Sequence, residues 1–144
     1  FQHRQTLQDV LRDHMHRGDR LAVNVAGYRV AGVPEEIGAD LLGLRTLFGR
    51  VDVHLAPGVP LWFEIYERAA AGGSRGVDVA GGSFVRALQL RESDEAATVG
   101  TVFDADGFDG KLRVGADWLT VIARAGAETT IPLSFVSWAS ALRT

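Results

Sequence analysis

Histidine, serine, carboxylate and arginine side chains fall into four groupings whose spacing bears on chemistry. His14-Met15-His16 offers two imidazoles to a transition metal, with His3 or Asp13 as a third ligand. On a helix, however, residues i and i+2 face apart. The pair therefore reads as one histidine at the edge of an apolar stripe and one in solvent. Gly72-Gly73-Ser74-Arg75-Gly76 matches the Gly-x-Ser-x-Gly nucleophile elbow letter for letter. That elbow needs a strand before it, a helix after it, and an acid and a histidine further along the chain. Here the flanks are glycine-rich and the last histidine is His54, so the segment reads as a linker. Asp104-Ala105-Asp106-Gly107-Phe108-Asp109 resembles the start of a calcium loop, which requires oxygen ligands at positions 1, 3 and 5, Gly at 6 and Glu at 12. Counted from Asp104, the last three of those positions hold Phe108, Asp109 and Gly115, and an acidic turn is the better reading.

The fourth grouping is cationic and aromatic. Arg12, Arg17 and Arg20, with Arg45 and Arg50, make a candidate basic patch, and Trp62 and Tyr66 are candidate stacking platforms for single-stranded RNA. Asp40, Asp117, His54 and Arg45 are the polar groups that a small-molecule site or small enzyme would draw on. No phosphate-cradling glycine loop, paired-carboxylate motif or dinucleotide fingerprint is present. The expectation is a chain with no catalytic residues, no metal and no cofactor.

Composition narrows the classes further. The 144 residues are 47% hydrophobic and 23% charged, the balance of a soluble globular domain. No apolar run of about 18 residues is present, so no membrane helix is expected. The net charge of −3 argues against capture of duplex DNA, which rests on displacing counterions from phosphates. Lys111 is the only lysine; the arginine bias, with abundant Ala and Gly, fits a high-GC genome. The absence of cysteine excludes disulfides and thiol chemistry and fits a cytoplasmic setting. Because the chain begins at Phe1 rather than Met, an earlier segment, such as a signal peptide, is left open.

The elements that must position these residues are mostly strands. Leu7, Val10, Leu11, His14 and Met15 mark a helix from Gln2 to Arg17, stopped at Gly18. Period-two patterning follows in Leu21–Val25, with a turn at Ala26-Gly27. Strands are expected over Tyr28–Val33 and Ile37–Arg45, interrupted at Pro34, then from Val51 to Leu55 and from Leu61 to Ile65, with a short helix over 67–71 as an alternative ending. The glycine-rich stretch Ala69–Gly82 is the linker. Beyond it, Phe84–Arg91 reads as a strand with a helix as the alternative. Strands follow at Thr98–Phe103, Leu112–Ala123 (bent at Gly115), Thr129–Leu133 and Phe135–Trp138, with an acidic loop over Asp104–Gly110.

An internal echo organises the whole. Gly38-Ala39-Asp40-Leu41-Leu42 leads to Val59-Pro60-Leu61-Trp62-Phe63, and Gly115-Ala116-Asp117-Trp118-Leu119 leads to Ile131-Pro132-Leu133-Ser134-Phe135. The order of short strands around these motifs looks like an Sm-like barrel. The second half also resembles uncharacterised actinobacterial proteins with a Gly-Ala-Asp-Trp-Leu and Val-Pro-Leu signature. The resemblance implies an N-terminal helix (1–18), a first five-stranded Sm-like unit (19–71), a linker (72–82) and a second such unit (83–144), packed together. Trp118, Phe135 and Trp138 would then be core or seam residues. It carries no established activity. The function expected is a non-enzymatic binding module for a protein or single-stranded RNA, with a pocketed small-molecule binder or enzyme, or a structural and oligomerisation domain, as alternatives. Exposed barrel edges leave homo-oligomerisation open.

Overall fold

The computed structural model describes residues 4–70 and 81–142, so the Gly-x-Ser-x-Gly match at Gly72–Gly76 lies outside the described residues. The first element is helix α1 (Leu7–Arg17), which starts at the first residue of the apolar stripe rather than at the expected Gln2. Thr6 fixes the start: its hydroxyl accepts from the Asp9 N–H while the Asp9 carboxylate accepts from the Thr6 N–H, a reciprocal capping box. Gly18, at φ 76°, ends the helix in the left-handed region that glycine enters without a Cβ penalty.

Five strands follow: β1 (Arg20–Val25), β2 (Tyr28–Ile37), β3 (Leu41–Thr46), β4 (Gly49–His54) and β5 (Leu61–Glu67). β5 continues through Glu67, where a short helix was the alternative. β2 runs straight through Pro34, contrary to the expected break. The pairing of β2 with β1 ends at Gly32, and beyond it β2 pairs β3 with a bulge between Pro34 and Glu36, so the missing N–H is tolerated.

The second half departs from expectation more often. Phe84–Leu90 is a helix, α2, rather than a strand: Ser83 caps it by accepting from the Arg86 N–H, and Phe84, Ala87 and Leu88 form its buried stripe. The acidic stretch expected as a loop belongs to a strand. After β6 (Ala97–Thr101) comes β7 (Asp104–Val114), whose aspartates point outward, with Gly107 at φ 78° opposite a register shift in β6. The single long strand expected over Leu112–Ala123 is the end of β7, a turn at residues 115–117, and β8 (Trp118–Ile122). β9 (Glu128–Pro132), a short 3-10 turn (Leu133–Phe135) and β10 (Val136–Ala141) complete the chain.

All ten strands form one antiparallel sheet in the order β5-β1-β2-β3-β4-β10-β6-β7-β8-β9. Both halves therefore use the same internal order, with β10 standing to β6–β9 as β5 stands to β1–β4. Each half opens with a helix, and α1 lies on β2 as α2 lies on β7. Hydrogen bonds repeat as well. The Gly38 N–H donates to Leu41 O as Gly115 does to Trp118 O, and the Leu55 N–H donates to Asp40 O as Leu133 does to Asp117 O. The Gly-Ala-Asp turns are thus structural equivalents. The two Pro-Leu pairs are not: Pro60 precedes β5, whereas Pro132 ends β9, opposite Trp118.

The halves share one join. β10 pairs β4, with Trp138 opposite Val53, Ala139 opposite Asp52 and Ser140 opposite Val51. Two fully buried apolar side chains cross it. Trp138 belongs to the core of the first half, with Leu11, Met15, Leu21 and Val53, and stacks on Tyr28 at 3.9 Å. Leu41 belongs to the core of the second half, with Phe84, Leu88 and Val136. Gly100 makes room for the tryptophan, since a Cβ there would collide with the Trp138 indole. The sheet does not close: β5 and β9 each pair on one side only.

Candidate functional site

The open edge of β5 is built from period-two patterning. Leu61 and Phe63 turn toward the first core, and the alternate residues Trp62, Glu64 and Tyr66 turn out. Trp62 is 56% exposed and Tyr66 62%, an unusual outlay of aromatic surface on a strand with one unpaired edge. Beside them on β1, the Asn24 side-chain oxygen is buried without a hydrogen-bond partner.

The strand is tied down at both ends. At its start the Ala26 N–H donates to Pro60 O at 2.8 Å. Past its end the Ala69 N–H donates to Asp19 Oδ1 at 3.0 Å. Asp19 is almost wholly buried and its other oxygen takes the Arg17 Nε at 3.0 Å and lies 2.9 Å from His14 Nδ1. Arg17 Nη2 also approaches Nδ1, at 3.1 Å. A guanidinium only donates and a carboxylate only accepts, so one Nδ1 cannot serve both. Donation from Nδ1 to the buried carboxylate is the assignment that avoids two lone pairs facing each other at 2.9 Å, and Arg17 still meets the same carboxylate through Nε. Burial alone would raise the Asp19 pKa, but the hydrogen bonds from Ala69, His14 and Arg17 outweigh it and bring it down to about 2.

The arginines singled out from sequence lie in three places. Arg12 and Arg17 are on α1, with Arg12 3.7 Å from Asp9 and Arg17 engaged by Asp19. Arg45 and Arg50 face each other across β3 and β4. Arg45 is exposed, while Arg50 is gripped by Glu36 at 2.6 Å and Asp52 at 2.9 Å. Arg20 opens β1 opposite Glu67 and so shares the β1–β5 ribbon with Trp62 and Tyr66. Asp52 also receives the Arg91 Nε at 2.9 Å, which ties the end of α2 to β4 beside a 220 Å³ hollow lined by Glu36, Ser83 and Arg86. Hydrogen bonds from the Gly82 N–H and Arg50 hold the Glu36 carboxyl below its ordinary pKa. Breaking such a partly buried network costs more than forming it gains, which marks it as a clasp between the halves.

The polar groups considered for a pocket separate. Asp40 and His54 meet at the join, 3.8 Å apart. His54 stacks on Phe84 at 4.2 Å and its Nδ1 lies 2.8 Å from Val136 O, while Asp40 accepts the Phe84 N–H at 2.9 Å. Asp117 is exposed in the corresponding turn of the second half, and Arg45 sits on β3. Among the described residues no three His, Asp or Glu side chains are placed to hold a metal ion. No helix among them is long and apolar enough to cross a membrane.

Of the aromatic residues assigned to the core, Trp138 is fully buried, whereas Trp118 is 36% exposed and Phe135 lies part-exposed against Phe103. Trp118 opens β8 opposite Pro132, one strand in from the open edge at β9. No sequence motif marks the exposed Phe48 at the β3–β4 turn, and Leu41 at the join carries only the signal of the echo. Leu41 was readable from the echo, since it and Trp118 occupy the same place after Gly-Ala-Asp. The fold and these surfaces define a mainly β protein with an N-terminal helix and a ten-stranded antiparallel sheet open at both ends. Comparison with family models, curated protein sequences and solved structures finds no match.

Proposed function

We propose that the chain is a non-enzymatic binding module, two Sm-like units in tandem, whose partner is a protein met along the open edge of β5. The repeated strand order supports the tandem reading. The observation that carries the binding reading is the pair Trp62 and Tyr66, both exposed on a strand with one unpaired edge. A sheet edge offers main-chain donors and acceptors for an added strand, and flanking aromatics supply the apolar anchor. Single-stranded RNA would instead need cations free to meet phosphates, and Arg12, Arg17 and Arg50 each lie against a carboxylate. At the join, the His54 ring and the Asp40 carboxylate are spent on Val136 and Phe84, which supports a structural role for that pair.

Titration with short single-stranded RNA, followed by tryptophan fluorescence at two salt concentrations, tests the choice of partner. The protein reading expects no saturable change up to about tens of micromolar RNA. Saturable quenching that weakens with salt would replace it with the RNA reading, because it places a tryptophan beside a phosphate-contacting site.

A further inference from the structure

We infer that the strand added to β5 is β9 of a second copy of this chain, so that the protein associates head to tail; the inference rests on reading β5 as a protein-contacting edge. Its basis is the internal join. There, one unit's closing strand (β10) pairs the other unit's fourth strand (β4), Trp138 crosses into one core and Leu41 into the other. The two halves share strand order, so each participant has a counterpart at the ends of the sheet. β10 corresponds to β5, and β4 to β9.

The residue equivalences follow from register. Trp138 faces Gly100 on β6, one position before Thr101, which starts the hairpin with Asp104. Trp62 faces Asn24 on β1, one position before Val25, which starts the hairpin with Tyr28. Trp62 is therefore the counterpart of Trp138. Leu41 faces His54 as Trp118 faces Pro132, which makes Trp118 the counterpart of Leu41. Trp138 and Leu41, which cross the internal join, are 0% and 1% exposed, and their counterparts at the free ends are 56% and 36% exposed. Each open end thus presents the residue that, at the join, is buried in the neighbouring unit.

The same correspondence fixes the register between chains. Trp62 should face Ile131 as Trp138 faces Val53, and Phe63 should face Thr130 as Ala139 faces Asp52. Glu64 should then face Thr129 as Ser140 faces Val51. No like charges oppose each other in that ladder. Neither edge carries the lysine or mid-strand proline that usually blocks pairing; Pro132, the counterpart of His54, lies beyond the three pairs. The two surfaces differ, so the contact is heterologous, and successive copies close a ring or extend a filament.

Light scattering of the purified chain at about tens of micromolar should give a mass of three or more 15.5 kDa protomers. Trp62→Ser and Trp118→Ser should each weaken association by roughly 30-fold or more. Each variant keeps the edge that the other has lost, so an equimolar mixture should recover dimers that neither forms alone. The chain has no cysteine of its own, so the variant carrying both Glu64→Cys and Thr129→Cys should oxidise to oligomers bridged 64 to 129. A wild-type monomer, a stable two-fold dimer bridged 64 to 64, or a mixture that stays monomeric would overturn the inference. A monomer that binds other proteins through β5 would overturn only the identity of the partner. A monomer quenched saturably by RNA would overturn both this inference and the protein reading.

Discussion

Asp40 and Asp117 stand at the same place in the Gly-Ala-Asp-x-Leu turn, and their backbone carbonyls accept equivalent hydrogen bonds. Their side chains differ in work: Asp40 receives the Phe84 N–H at the start of α2, whereas Asp117 is exposed. Asp40→Ala should cost about 1 kcal/mol in urea unfolding, the usual value of a helix-terminus cap. Asp117→Ala should stay within about 0.5 kcal/mol. Asp19 gives a pH signature. Its folded-state pKa of about 2 lies below the unfolded value, so its contribution is present above about pH 4 and is lost as pH falls toward 2. Unfolding measured from pH 5 to 2 should show that loss, on the order of 2 kcal/mol, and Asp19→Asn should flatten it. These roles could not be read from the sequence. The two aspartates look alike in it, and their partners come from strands and helices far along the chain.

Elements were legible where the large apolar residues recur on one face. α1, β1, β4 and β5 follow from stripe or alternation, and Gly18 stops the helix as its position suggests. Elsewhere local composition misled. The Asp and Gly residues of Asp104–Gly110 have turn propensity, but pairing with β6 draws them into a strand with a Gly107 bulge. Phe84–Leu90 is too short for its helical stripe to stand out from a strand pattern, although Ser83 with Phe84, Ala87 and Leu88 holds the signal. The echo was half legible, because Gly-Ala-Asp marks equivalent turns and Pro-Leu does not. The β6–β10 pair offers an element-level test: Gly100→Ala pushes a methyl into the Trp138 indole. It should destabilise the fold by about 1–3 kcal/mol and shift tryptophan emission to the red, since Trp138 would be forced from its fully buried site.

At the scale of the molecule, the two halves are one sheet because they trade side chains as well as pair strands. Trp138 completes the first core and Leu41 the second, with the Glu36–Arg50–Asp52–Arg91 network clasping α2 to β4. The same trade leaves both ends of the sheet with an exposed tryptophan and unpaired backbone, which is the physical ground for reading β5 as a contact surface. Charge adds little to that surface, since several arginines near the sheet and helix are already held by carboxylates. The most direct measurement is photo-crosslinking from β5, with benzoylphenylalanine in place of Tyr66, in extract of the protein's own cells. Adducts to protein, attached at a defined surface, are the predicted result; adducts to RNA, or none at all, would contradict it.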